Sequence, residues 1–516
     1  MADARTSVTH PIEVAWLPLP WPGKVGLTFA PGKKDSLSLD GGWDRDLQAD
    51  VSRLRETYGT KHLVSLIEDQ EFDLLHIAEL RATAVASGIA LHRLPIVDVS
   101  VPTSDAAVCD LVFSITVWAA NGENVVIHCR GGLGRAGTIG GCVLRAAGFN
   151  ADAALAALTA ARGPNCPETQ DQRDYVRAFV GVPLLALRIS PGTLRAALAM
   201  YRRVSGAVLG AAIGDALGHP TEFYSYEQLE GKYGSGGVKG FELWWEGDDG
   251  KRFAPYTDDT QMAEIVLQAI VDHGTTEVSF ESAMEGMAAG FGHWHDSPQG
   301  GHRAPGTTCL AGAKRLAAGV PWREAGDPHG GGCGSVMRAY PFGLLLGFDL
   351  ERAERWAVEH SRMTHQAPMA LAACAAMAVG IAWEMAAAAP SSTLWAMVEA
   401  AKRHDPATGS MAEHALHDAY QGADARRVLT ELQGWNAREA IAAAMFVVAR
   451  HPRDIRAALL EAANASGDSD SIATLVGALL GARLGVGALP EEWVRDVERS
   501  QELLSLAGMA AQIAVA

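Results

Sequence analysis

Two parts of this 516-residue chain gather side chains that could do chemistry. In VVIHCRGGLGRAGT, at 125–138, Cys129 follows an apolar run and is followed by glycines at 131, 132 and 134 and arginines at 130 and 135. The run 125–127 reads as a short buried strand, 129–135 as a tight loop, and Thr138 onward as the start of a helix. Glycines let successive backbone N–H groups converge on one point, and the helix N-terminus adds its positive dipole end. Such a cradle suits a phosphate. A thiol in that field loses its proton readily, with pKa values of ~3.5–7.5 typical of such positions, so Cys129 is a candidate nucleophile beneath a bound phosphoryl group. Arg130, Gly131, Gly132, Leu133 and Gly134 would hold phosphate oxygens, and Arg135 would offer a planar fork to two of them. The departing alkoxide or phenoxide then needs an acid. Asp98, in LPIVDVSVPTS, lies just past a strand-like run in a loop able to reach the site.

The second part is rich in carboxylates. In YTDDTQMAEIVLQAIV, Thr257, Asp258 and Asp259 precede an apolar helix; in ASGDSDSIATLVGALLG, Asp468, Asp470 and Ser471 precede another. N-capping explains either cluster taken singly, but two carboxylate-hydroxyl clusters exceed what two caps require. Aspartates gathered in one pocket repel one another unless cations lie between them. Hard oxygen donors suit magnesium, with manganese or calcium next, rather than zinc, for which His or Cys ligands would be expected. HWHDSPQGGH, with His293, His295 and His302, has an irregular loop setting that fits a pocket rim better than a metal site.

The elements that must position these residues differ between the two halves. Up to about Val182, short β-rich runs (HLVSLIE, LHRLPIVD, NVVIHC) alternate with amphipathic helical runs, which predicts a parallel sheet flanked by helices. Beyond about Ala196 the chain turns to long alanine- and leucine-rich helices separated by glycine-rich loops, an all-α pattern. Pro183 and the Pro191-Gly192 pair mark the break, giving domains 1–183 and 196–516 joined by a linker at 184–195.

Composition narrows the function further. With 48% hydrophobic and 20% charged residues, both halves should fold. A net charge of -17 argues against an extended nucleic-acid surface but leaves small anions open, because pocket amides, single arginines and metal ions can hold them. Seven cysteines without a CxxC pair fit a reducing compartment. The N-terminus lacks a signal-peptide pattern, and the apolar run 368–383 is closed by Glu384, so we expect a buried helix, no membrane partner and a cytoplasmic location.

HCRGGLGR, with its flanking strand and helix, resembles the signature of the cysteine-dependent, dual-specificity phosphatases of the cyclin-dependent-kinase-associated type, over roughly 37–179. The resemblance implies an α/β phosphatase fold, Cys129 as nucleophile, Arg135 as phosphate fork and Asp98 as general acid, and it points to Gln172 in PETQDQRDYVRAF for placing the hydrolytic water. One departure matters: the family's Ser or Thr after the arginine is Ala136 here, with Thr138 as the nearest substitute. Independently, GAVLGAAIGDALGHPTEF, YTDDTQMA, GGCGSVMRAYPFGL, MTHQAP and GDSDSIATLVGALLGARLG resemble, in order, the signature segments of the ADP-ribosylglycohydrolases of the dinitrogenase-reductase-activating type. That resemblance implies an all-α fold with a two-magnesium centre. Its ligands would be Thr257, Asp258, Asp259, Asp468, Asp470 and Ser471, the last replacing a common threonine. Glu222 would reach the metal centre or the attacking water, Gly334 and Ser335 would line the diphosphate, and His365 the distal ribose.

These readings together describe a bifunctional hydrolase acting on a phosphomonoester and on an ADP-ribosyl bond of a protein, nucleic-acid end or small molecule. The alternative is an ADP-ribosyl hydrolase carrying a non-catalytic phosphate-binding module, a reading that Ala136 favours.

Overall fold

The structure, a computed structural model, describes residues 4–35, 42–179, 191–247 and 250–515. The chain divides into two compact units, Met1–Leu198 and Ala199–Ala516. Of the linker expected at 184–195, residues 184–190 lie outside the described residues, and from Pro191 the backbone is already helical, in Pro191–Gly218. Proline suits a first helical turn, whose N–H groups have no intrahelical partner. The Pro191-Gly192 pair thus starts an element where a break was expected.

In the N-terminal unit, parallel strands Val25–Thr28, Asn124–His128, Thr60–Ser65 and Ala90–Arg93 lie side by side in that order, and Ala15–Trp16 pairs antiparallel with Val25–Thr28. The middle strand, Asn124–His128, is buried from Val125 to His128. Strands apolar on both faces are what a sheet covered by helices requires. Three crossovers leave the same, C-terminal edge of the sheet, where open α/β sheets place their ligands. Asn124–His128 runs into Cys129, Thr60–Ser65 into the helix Asp69–Leu74, and Ala90–Arg93 into the loop that carries Asp98.

Among its described residues the C-terminal unit is helical apart from a small antiparallel pair, Trp245–Glu246 against Arg252–Phe253, which the all-α reading lacked. The helix Pro368–Met385 is long and apolar enough to cross a bilayer by length and composition, but its residues from Ala370 to Ala382 are buried and Glu384 pairs with Arg483. It is a core helix of this unit.

One packing device sets the geometry of the carboxylates. Glycines 206, 210, 214 and 218 recur every fourth residue along Pro191–Gly218, and thus form one stripe. A Cβ at Gly206, Gly210 or Gly214 would overlap the carbonyl of Gly481, Gly477 or Ala473 on the helix Ser469–Leu484, and one at Gly218 would overlap the backbone of Asp470. Backbone therefore rests on backbone, in antiparallel sense, and Glu222 just past one helix is held against Asp470 in the first turn of the other. Helix propensity alone would make Gly477→Ala stabilising by about 1 kcal/mol. The overlap predicts instead a loss of about 1–3 kcal/mol, to be read as a lower midpoint in chemical denaturation of the full chain.

Candidate active sites

The phosphate loop starts as the sequence implies but ends sooner: the helix begins at Gly134, so Arg135 and Ala136 lie in its first turn. Gly132 adopts a left-handed φ of 74°, and a side chain there would collide with the backbone at Thr28. Its N–H donates to the Cys129 Sγ at 3.2 Å. Cys129 is buried at 3% exposure, at the floor of the loop.

Arg135 is buried and carries a partner that sequence reasoning missed. Its Nη1 donates to Glu71 Oε2 at 2.6 Å and to the Ile96 carbonyl at 3.0 Å, while its Nη2 donates to Glu71 Oε1 at 2.9 Å and pairs with Asp98 Oδ1 at 2.7 Å. Its Nε is buried without a partner, a donor left over for an anion. Burial pushes the Glu71 carboxyl up, but the bonds from Arg135 and the Glu68 amide outweigh this and hold it below its ordinary value. Nothing in DQEFDL announces this role; a fork for a distant arginine leaves no local pattern. Asp98 is half-exposed beside Val99, whose φ of 60° strains a β-branched residue. Two cations flank the loop: the Arg130 guanidinium bonds Asp35 at 2.8 Å, and Lys33 donates to the Arg130 carbonyl at 3.4 Å. Burial lowers the Lys33 ammonium to about 8.

Two expected helpers are already engaged. The Thr138 hydroxyl donates to the Gly134 carbonyl at 3.0 Å, one helical turn back, so it does not replace the hydroxyl absent at Ala136. Gln172 completes the capping box of Gln170–Ala178, accepting from Glu168 and Thr169, and donates to the Ser100 carbonyl at 3.0 Å. Its amide ties the Asp98 loop to the helix.

In the C-terminal unit the two carboxylate clusters meet. The Ser471 hydroxyl donates to Asp259 Oδ2 at 3.0 Å, across 212 positions of sequence. Both clusters also cap, as the plainer reading held: Thr257 accepts from the Asp259 amide at 3.3 Å and Asp468 from the Ser471 amide at 3.3 Å. Asp215, unmarked within its apolar helix, accepts from the amides of Thr257 and Thr260 and from the Thr260 hydroxyl at 2.6 Å. Its carboxylate thereby fixes the start of Asp258–His273. Burial raises Asp215 to about 6. Burial, then the neighbouring carboxylates, raise Asp258 and Glu222 to about 8 and push Asp259 and Asp470 well above the ordinary range.

Two further side chains join this cluster. A ring nitrogen of His219 and carboxylate oxygens of Glu222 and Asp470 lie within 4.8 Å of one another. The Cys333 thiol donates to Asp468 Oδ2 at 2.8 Å. The other six cysteines, Cys129 among them, are buried, and none of the seven is in a disulfide. Buried carboxylates facing one another with so few donors fit a divalent-cation centre.

The remaining candidates lie beside this centre. A side chain at Gly334 would collide with Cys309 and crowd the His365 ring, so glycine is required there. His365 is buried with Nδ1 2.8 Å from the Thr364 hydroxyl, and burial lowers it to about 3, keeping it neutral. The Ser335 hydroxyl is turned into the core, accepting from Ser361 at 2.8 Å, which leaves only its main chain for a ligand. Arg338, also buried, fixes the loop by donating to the Gly334 carbonyl at 2.7 Å and to Thr364 at 2.6 Å. His293 and His295 sit on the helix Phe280–Asp296 rather than in a loop, and His293 lines a separate cavity of about 480 Å³ with Glu264 and Arg499.

The chain thus joins two hydrolase folds, each with its own constellation. The ADP-ribosylglycohydrolase model matches residues 196–515, and the model described as Swiss Army Knife protein, DSP-PTPase phosphatase domain, matches 41–178. The chain belongs to the ADP-ribosylglycohydrolase family and carries, ahead of that domain, a domain of the dual-specificity phosphatase type. It is 28% identical to an ADP-ribosylarginine hydrolase of Pseudomonas putida over 59% of this chain and 76% of that protein. It is 27% identical to the ADP-ribosyl-[dinitrogen reductase] glycohydrolase of Rhodospirillum rubrum over 60% and 98%. The N-terminal part is 26% identical to human cyclin-dependent kinase inhibitor 3 over 33% of this chain and 79% of that protein. A solved structure of an ADP-ribosylglycohydrolase-related protein complex is 26% identical, covering 61% of this chain and 99% of its own with a TM-score of 0.46.

Breaking a buried ion pair from one side leaves an uncompensated charge, at about 3–5 kcal/mol. Glu71→Ala should therefore destabilise the N-terminal unit by that order and weaken tungstate binding at Cys129. Denaturation and calorimetry check both; an unchanged denaturation midpoint would remove Glu71 as the anchor of Arg135.

Proposed function

We propose that the chain is a bifunctional hydrolase, with a phosphocysteine phosphatase ahead of a magnesium-dependent ADP-ribosyl hydrolase. The observation that carries the first activity is Cys129 Sγ facing the Gly132 amide, with Arg135 and Asp98 paired alongside. A phosphomonoester entering the loop takes the Arg135 donors now engaged by Asp98. Cys129 attacks phosphorus, the ester P–O bond breaks, and Asp98 gives its proton to the departing oxygen. Water then cleaves the S–P bond, and Asp98 takes the proton from that water. A second reading, a phosphate-binding module, draws on Ala136: the departing thiolate lacks the hydroxyl donor, so the intermediate should persist. A burst of product from an aryl phosphate, with phosphate retained on Cys129, favours the enzyme; no burst favours the module.

In the other site, Thr257, Asp258, Asp259, Asp468, Asp470 and Ser471 would hold the cations. Bound there, magnesium would orient ribose hydroxyls and steady charge at the anomeric carbon. Glu222 would reach the cations or exchange a proton with the attacking water or the departing group. Water oxygen joins the anomeric carbon as its bond to the acceptor breaks, and the acceptor leaves with a proton. The Gly334 loop is offered to the diphosphate, and His365 backs it. The named relatives act on ADP-ribosylarginine and ADP-ribosyl-dinitrogen reductase, which makes an arginine-linked acceptor the first to test.

Sharing a chain raises the effective concentration of one site for the product of the other. We therefore include in the proposal a substrate that carries both a phosphate and an ADP-ribosyl group. Cys129→Ser should abolish phosphate release and leave ADP-ribose release intact, with the reverse for Asp258→Ala. Parallel assays with an aryl phosphate and ADP-ribosylarginine read this, and joint loss in either variant would contradict two separate sites. On an ADP-ribosyl phosphate, the full chain should release phosphate faster than an equimolar mixture of its halves. No phosphate from either preparation would end the shared-substrate idea.

A further inference from the structure

The donor set at the carboxylate cluster is not all oxygen. His219 stands in the single 3-10 turn His219–Thr221, between the end of Pro191–Gly218 and Glu222. That turn is rigidly held: the Thr221 hydroxyl donates to the carbonyls of Gly218, at 2.6 Å, and Ala463, at 2.5 Å, and the Tyr233 hydroxyl donates to the Pro220 carbonyl at 3.0 Å. Gly218, with no Cβ, lets the turn rest on the backbone of Asp470. His219 is thereby brought to Asp470 and Glu222, its ring nitrogen within 4.8 Å of a carboxylate oxygen of each.

The imidazole also has unspent capacity. Its Nδ1 is buried and has no hydrogen-bond partner, a costly state for a polar atom unless something is bound there.

We propose that His219 is a nitrogen ligand of one cation position, together with Glu222 and Asp470, and that it biases this position toward borderline divalent transition ions over magnesium. This rests on the reading of the cluster as a metal centre. Imidazole adds little for magnesium, which prefers oxygen and keeps its waters, but adds affinity for ions such as iron(II), cobalt(II) and zinc. The oxygen donors from Thr257, Asp258, Asp259, Asp468 and Ser471 carry no such bias. The two kinds of donor within one centre predict two cation positions with different preferences.

The test uses the full chain loaded with manganese(II) as a paramagnetic probe, and reads spin-echo modulation from a directly bound nitrogen. Modulation should be present in the wild type and absent in His219→Gln that still binds manganese. In calorimetry, His219→Gln should lower zinc affinity by roughly tenfold or more while changing magnesium affinity by less than about threefold. Manganese bound without nitrogen modulation in the wild type would overturn the proposal, and this outcome needs no variant to fold. Equal losses for zinc and magnesium would overturn the selectivity. A wild-type chain that binds no divalent cation would remove the metal-centre reading itself, and the role of His219 with it.

Discussion

Mutual repulsion among buried carboxylates is the constraint around which the C-terminal unit is arranged. Asp258, Asp259, Asp468 and Asp470 converge with Glu222 behind them, all removed from bulk water to a large degree. Two like charges about 4 Å apart repel by about 4 kcal/mol at an effective dielectric near 20. A few such pairs equal the whole stability of a domain, about 5–15 kcal/mol. The unit can relieve this by protonation, which the raised carboxyls record, or by cations. Holding such groups together demands a stiff frame, and the backbone-on-backbone contact of Pro191–Gly218 with Ser469–Leu484 supplies one. Asp215 differs in kind: amide and hydroxyl donors satisfy it, and it works as a strut under Thr257.

The N-terminal unit solves the opposite problem. Its loop concentrates positive potential from amides, a helix N-terminus and Arg135, and it tolerates that potential through Glu71 and, on the exposed side, Asp98. The two acids differ in consequence. Glu71 is enclosed and anchors the arginine, whereas Asp98 pairs with it from a half-exposed, strained loop.

The sequence marked the candidate site residues far better than their supports. Cys129, Arg135 and Asp98, and the two Asp clusters, stand in local patterns that only a few chemistries explain. Glu71, Asp215, Arg338 and His219 each meet at least one partner tens or hundreds of residues away, Arg135, Thr257, Thr364 and Asp470, so periodicity carries little trace of them. Strand Val25–Thr28 also escaped notice, because four residues between Pro22 and Pro31 show too little alternation to count. The glycines of Pro191–Gly218 were visible, but a stripe at every fourth residue acquires meaning only when its partner helix is known. Folding also brings His219 and Cys333 to the carboxylates, a juxtaposition with no local pattern in the sequence.

The most direct test of this account is the thermal midpoint of the full chain's C-terminal transition near neutral pH, with chelator and then with increasing magnesium. If cations relieve the carboxylate repulsion, the midpoint climbs with concentration, gaining the equivalent of about 2.7 kcal/mol when the free ion reaches one hundred times its dissociation constant. A midpoint that stays fixed from chelator to excess magnesium would contradict the claim that this cluster is built to hold cations.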